Sequence, residues 1–288
     1  MDPEERVRRF LEAAEAEIAF LPRIQKDTLA ELVKQLEIAE QAILDALRSS
    51  TSVSAQLRLR RMRDEVERAL EDFRQAVTSS TTAGAQQAWE AGIRTIAAPF
   101  DAAGVSILGP SIDRGALMAT QRFLTNRISD ISLRAVNQLN GALIQNIVGA
   151  TPLSDTVTLV QRILGGAPRS RAMTVAYTEI GRAHSVSQNE SLQQAGDIVP
   201  NLHKRWLKSG KLHPRASHVH AHNQIRRYDE PYVVGGESLM FPRDPDASAE
   251  NSINCGCHSI PVVDGSSFGS STIQISPQGI VRKIVLPR

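Results

Sequence analysis

The chain's 288 residues include 33 Lys+Arg and 31 Asp+Glu, and the formal net charge of +2 argues neither for nor against a polyanionic partner. Hydrophobic residues reach 41% but aromatic ones only 4%, which favours helices packed through Leu, Ile, Val and Ala over aromatic-rich β sandwiches. No apolar run approaches the ~20 residues of a membrane-spanning helix, and "MDPEERVRRF" is charged from its second residue, unlike a secretory signal.

The first two-thirds read as helix after helix. "DPEE" at 2–5 is a start signal, with Asp2 as N-cap, Pro3 at the first helical position and acids in the first turn. Val7, Phe10, Leu11, Ala14 and Ile18 then form one apolar stripe at three- and four-residue spacing. A second helix is predicted after Pro22, from about Asp27, burying Leu29, Leu32, Val33, Leu36, Ile43, Leu44 and Leu47. A third, from about Val53, carries Leu59, Met62, Val66, Leu70 and Phe73. "STTAGAQQ" (80–87) reads as a break before a short helix with Trp89 and Ile93.

"APFDAAGVSILGPSIDRG" (98–115), rich in Gly and Pro, reads as a loop. Beyond it a helix of about 114–148 is apolar at Met118, Phe123, Leu124, Ile128, Ile131, Val136, Leu139, Leu143 and Ile147. "ATPLSDT" restarts the chain, Gly165 and Gly166 end the next short helix, and a last helix is expected from about Ser170 to Ala195. These stripes read as bundle packing rather than cofactor boxes.

The character changes near Pro200. "HKRWLKS" (203–209) alternates like a strand, "PYVVGGESLMFP" (231–242) reads as two short strands joined through Gly235 and Gly236, and "NCGCHSIPVV" continues as another. "TIQISPQGIVRKIVLPR" (272–288) looks like two final strands around a Pro-Gln-Gly turn. The expected class is α+β: a mostly helical body (1–167), a small α+β module (168–265) and a β-prone tail (266–288). From residue 168 onward there are 14 Lys+Arg against 10 Asp+Glu, and before it 19 against 21, a mild asymmetry that a solvated surface explains as well as DNA does.

Both cysteines lie in "ENSINCGCHSIPVV" (250–263), and four of the seven histidines in "HPRASHVHAHNQ" (213–224). Two cysteines make no disulfide framework, and a Cys-X-Cys ring is small and strained, so synthesis in a reducing cytoplasm is expected. On an extended strand Cys255 and Cys257 share a face, and were 217–224 helical, His218 and His222 would lie one turn apart. Two thiolates and two imidazoles would then close a tetrahedral structural zinc site from Cys255, Cys257, His218 and His222. The alternative is that the thiols are buried small hydrophobes and His218 hydrogen-bonds the loop.

The run "TVAYTEIGRAHSVSQNE" (174–190), then Trp206, then "PRASHVHAHNQ", then "DEPYVVGGESLMFPRDPDASAENSINCGC" resembles the phage Mu F-like head morphogenesis domain of minor head proteins. The matching positions are Thr178, Glu179, Trp206, Arg215, His218, Gly235, Gly236, Pro242, Asp244, Pro245, Asn254, Cys255 and Cys257. Tyr177 stands where the family often has Arg, and Gly256 replaces an Arg between the cysteines.

The resemblance implies a minor capsid component made in the host cytoplasm and carried in the virion, in the capsid interior or at the portal vertex. It implies help with head assembly, DNA packaging or DNA delivery, and partners among the portal protein, other capsid proteins and copies of the chain itself. It implies no catalytic residue. The enzymatic alternative is a metal-dependent nuclease using Asp244, Asp246 and Glu250, although the sequence offers no general base beside a second-metal carboxylate pair. Arg169, Arg171, Arg182, Lys204, Arg205, Lys208, Lys211, Arg226 and Arg227 could meet DNA phosphates, without sequence preference. Trp206 is expected in the core, and Glu179 as an internal ordering residue. The tail is expected either to dock on the portal or to fold back on its own module.

Overall fold

Asp2 caps helix α1 (Pro3–Glu17) as expected: its Oδ1 accepts a 2.8 Å hydrogen bond from the Glu5 amide, and Phe10 and Ala14 are buried. The computed structural model describes the chain apart from residues 50–54, 106–113, 148–149, 166, 265–271, 276–280 and 285–288, and describes only the backbone in parts of the helices and in the last two strands. Helix α2 (Phe20–Ser49) starts before Pro22 rather than after it. In the first turn a proline has no helical hydrogen bond to lose, so it does not set the boundary.

Helix α3 (Ala55–Ala102) overturns the break expected at 80–87, because it runs through that stretch without interruption. The hydroxyls of Ser80 and Thr81 donate back to the carbonyls of Ala76 and Val77, at 3.0 and 2.6 Å, instead of ending the helix. Gly84 is there for close approach: a Cβ on it would lie 2.4 Å from Oγ1 of Thr28. The loop expected from residue 98 therefore begins later. Gly104 (φ +73°) stops the helix, with Val105 N donating to Phe100 O at 2.9 Å in a Schellman arrangement.

Helices α4 (Arg114–Ile147), α5 (Leu153–Gly165) and α6 (Ala167–Gly196) follow the predicted pattern. On α4, Leu124, Leu139 and Leu143 are buried, whereas Met118 and Phe123 are 60% and 41% exposed and do not belong to the core face. The side chains of Leu47, Leu59, Ile128, Ile131, Val136 and Ile147 lie outside the described residues.

The chain forms two compact units, each made of non-contiguous stretches. One comprises residues 26–84 and 121–177, with a core of Ile43, Leu44, Met62, Val66, Leu70, Leu139, Leu143, Val160 and Ile163. The other comprises residues 1–25, 85–120 and 178–288. Its helical core places Phe10 against Phe100, ring centroids 4.8 Å apart, with Ile96, Leu192, Val199, Leu202 and Val263 around them. Within this unit α1 and the end of α3 thus share a core with the C-terminal elements. Gly92 makes part of that contact: a Cβ on it would lie 2.0 Å from Ser187 Oγ and 2.3 Å from the His184 carbonyl.

The sheets are small and antiparallel, and the fold is α+β and mostly helical, as expected. Strands β1 (His203–Leu207), β2 (Ile225–Arg227) and β5 (His258–Val262) form a sheet in the order β2-β1-β5. β1 buries Lys204 and Trp206 by strict alternation. β3 (Tyr232–Val234) and β4 (Glu237–Leu239) form the predicted hairpin, with Gly235 (φ +61°) and Gly236 (φ +85°) supplying the two left-handed residues of its turn. Beside this hairpin, the Gln224 side chain accepts from Val233 N at 2.7 Å and donates to Val233 O at 3.2 Å. β6 (Thr272–Ile275) and β7 (Val281–Ile284) pair as the expected tail hairpin. β2 and the short helices α7 (Ala216–His220) and α8 (Ala249–Ser252) complete the module.

Candidate metal centre

Trp206 is the packing hub beneath the site, as expected. Fully buried on β1, it meets the rings of Tyr232 and His218 edge-on, with centroids 5.2 and 6.0 Å away, in a cluster with Ala221, Val234, Leu239, Cys255 and Cys257. Helix α7 offers His218 into this cluster, where it is only 3% exposed. The cysteines are free thiols and sit between α8 and β5, not on a strand as the sequence suggested. Asn254 at φ +55° turns the chain there.

Nδ1 of His218 lies 3.2 Å from Sγ of Cys257 and 3.6 Å from Sγ of Cys255, and the three donor atoms lie within 4.8 Å of one another. Tetrahedral zinc with its usual bond lengths separates a histidine nitrogen and a thiolate sulfur by about 3.5 Å, so the spacing fits such an ion. The tautomer fits as well. Nε2 of His218 sits 3.3 Å from Oδ1 of Asn251, which can only accept, so Nε2 carries the hydrogen and Nδ1 is the nitrogen facing the sulfurs. Asn251 is itself fixed, donating to Val234 O at 3.3 Å and Glu237 Oε1 at 2.8 Å. Glu237–Asn251–His218 has the form of the outer-shell chains that orient metal-bound imidazoles.

His222 does not join the group. Helix α7 ends at His220, so the one-turn spacing does not arise, and His222 Nδ1 instead accepts from the Lys208 amide at 3.3 Å. The described residues thus bring together three of the four predicted ligands, His218, Cys255 and Cys257, and no other Cys, His, Asp or Glu with them.

Cationic side chains surround the sulfurs. Three successive carbonyls of the cysteine loop each accept from one: Ile253 from Arg215 at 2.6 Å, Asn254 from Lys211, and Cys255 from Arg243 at 2.6 Å. The Asn254 amide donates to Thr178 Oγ1 at 3.1 Å. Arg243, at φ +67°, is 1% exposed and also donates to Ser185 Oγ at 3.0 Å, but no carboxylate pairs with it among the described residues. A buried guanidinium without a carboxylate is costly unless its hydrogen bonds are satisfied, and here the Cys255 carbonyl and Ser185 hydroxyl accept two of them. Hydrogen bonding to Cys257 holds the Cys255 thiol well below its ordinary value against the opposing effect of burial, with His218 and Arg243 assisting. The same contact, with burial, pushes Cys257 up.

Sequence reasoning missed Asn251 and Arg243. An asparagine in a four-residue helix and a buried arginine between two turn prolines give no periodic signal. The nuclease alternative gains nothing from the geometry: Asp244 accepts from Met240 N at 2.7 Å and Asp246 N at 3.0 Å, which is turn formation, and Asp246 and Glu250 are exposed. Glu179 pairs with Arg182 at 2.8 Å. Of the nine candidate phosphate ligands, Lys204 is buried, Arg205 pairs with Glu15 and Arg227 with Asp229.

Among described residues, no helix is long and apolar enough to cross a membrane. No solved structure matches the chain. The uncharacterised protein YqbB of Bacillus subtilis is 37% identical over 100 residues, which is 33% of this chain and 32% of that protein. The NAD(+)–arginine ADP-ribosyltransferase EFV of Enterococcus faecalis is 33% identical over 93 residues, 32% of this chain and 19% of that protein. The chain thus spans a third or less of the length of these two relatives. A family model described as Phage Mu protein F like protein matches residues 137–260, from within α4 to β5, and so takes in Thr178, Trp206, His218 and both cysteines. Over those residues the chain is similar to the Phage Mu protein F-like family.

Proposed function

We propose that this chain is a head morphogenesis protein of a tailed phage: a non-enzymatic minor capsid component that associates with the portal vertex and assists head assembly, DNA packaging or DNA delivery. The observation that carries this reading is the family match over residues 137–260, whose specific positions converge on one buried corner. In that corner His218, Cys255 and Cys257 hold a zinc ion that closes the module, with the fourth position taken by a donor outside this trio. The ion is structural, because its ligands are buried and the nearby carboxylates already cap backbone amides. The stretch shared with the ADP-ribosyltransferase is a fifth of that protein, which suits a module carried beside a separate catalytic region.

Mass spectrometry of purified particles, together with deletion of the gene, tests the reading. The protein should be present in few copies per head and co-purify with the portal, and the deletion should yield defective heads. Its absence from particles whose assembly and infectivity survive the deletion would reject it. DNA cleavage with magnesium or manganese, lost in Asp244→Asn, would reject the non-enzymatic part.

A further inference from the structure

Three arginines converge on a cavity of about 280 Å³ in the unit made of residues 26–84 and 121–177. Arg127, Asp130 and Arg134 recur at three- and four-residue spacing and so share one face of α4, while Ser170, Arg171 and Thr174 come from the beginning of α6. None of the three guanidinium groups forms an ion pair among the described residues. Elsewhere arginines find carboxylates readily, as Arg63 does with Glu67 at 3.2 Å and Arg74 with Glu71. Three like charges lining one cavity repel each other, and Asp130 offsets one of them, leaving a net charge of +2.

The site is also ordered for recognition. The Arg127 guanidinium lies over the half-exposed ring of Phe123, 5.0 Å from its centroid, which restricts the rotamers it can sample. Ser170 lies within the first turns of a thirty-residue helix, where the backbone dipole favours an anion and its hydroxyl can donate. Planar, forked donors with a hydroxyl beside them suit the tetrahedral oxygens of phosphate better than a carboxylate.

We propose that this cavity binds a phosphate group through Arg127, Arg134 and Arg171. The phosphate comes either from a nucleic-acid backbone or from a small phosphorylated molecule, and the shared chemistry is a multiply charged tetrahedral anion. Asp130 limits the affinity and keeps the contact reversible.

Titrating the full chain with a fluorescent mixed-sequence DNA duplex, and separately with inorganic pyrophosphate in a calorimeter, tests the site and tells the sources apart. Arg127→Ala with Arg171→Ala should weaken binding about tenfold and, with the duplex, lower the slope of log affinity against log salt by about two. Asp130→Asn should tighten binding, and Arg63→Ala, on the exposed face of α3, should leave it unchanged. Binding of the duplex but not pyrophosphate identifies a DNA backbone. Binding of pyrophosphate, with or without the duplex, identifies the phosphate group itself. If neither ligand binds, or if the double variant binds like the parent, the proposal fails.

Discussion

Nη1 of Arg243 donates a 2.6 Å hydrogen bond to the carbonyl oxygen of Cys255 from an almost fully buried position, and no carboxylate pairs with its charge among the described residues. Arg243→Met should therefore destabilise the protein by about 3 kcal/mol, since it leaves the buried Cys255 carbonyl and the Ser185 hydroxyl without their donor. Arg243→Lys should recover only part, because one ammonium cannot reach both Cys255 and Ser185 as the fork does. Urea unfolding measures both. A Met variant as stable as the parent would show that the guanidinium supports nothing.

Removing a sulfur tests the metal. Purified protein should contain about one zinc per chain, and Cys257→Ser should lose it together with several degrees of melting temperature. His222→Ala should retain the ion and lose no more than about 1 kcal/mol, since it removes only the acceptor for the Lys208 amide. Elemental analysis that finds zinc lost from the His222 variant would restore His222 as a ligand.

Most of the fold was legible because helices announce themselves by period. The Asp2 cap, the α4 to α6 pattern and the Gly235–Gly236 turn follow from local chemistry alone. At 80–87 local reasoning failed, because Ser, Thr and Gly serve turns and tight helix contacts equally well, and only Thr28 beside Gly84 decides between them. The candidate centre was half legible. Its sulfurs and His218 stood out by type, whereas His222 was excluded by where α7 ends, and Arg243 and Asn251 depend on contacts distant in sequence.

The same small residues make a graded prediction. Gly84→Ala places a methyl against side-chain atoms of the buried Thr28 rather than backbone, and about 1 kcal/mol of helix propensity offsets part of the crowding, so the loss should be about 1 kcal/mol. Gly92→Ala drives the methyl toward the His184 carbonyl, which cannot rotate away, and should destabilise by about 2 kcal/mol. Equal effects at the two sites by thermal unfolding would contradict the packing described.

His184 gives a pH dependence. Burial, then the neighbouring charges of His258 and Arg243, hold it well below the ordinary histidine value, and its Nδ1 has no hydrogen-bond partner among the described residues. The folded form therefore keeps this imidazole neutral, while the unfolded chain takes up a proton as pH falls below about 6.5. Its contribution is fully present above that pH and is lost toward acid, by about 1.4 kcal/mol per pH unit. His184→Gln should flatten the stability profile between pH 7 and 5 relative to the parent. Parallel profiles for the two proteins would remove the assignment.

Val233 faces away from β4, so its N–H and C=O are the groups an incoming strand would use. Gln224 engages both with one side-chain amide, acting as a single rung of a ladder that goes no further. The β3 margin of this hairpin is thereby closed to strand addition, which keeps a second copy of the chain from zipping onto it there. Any partner that adds a strand to this module must do so at another edge.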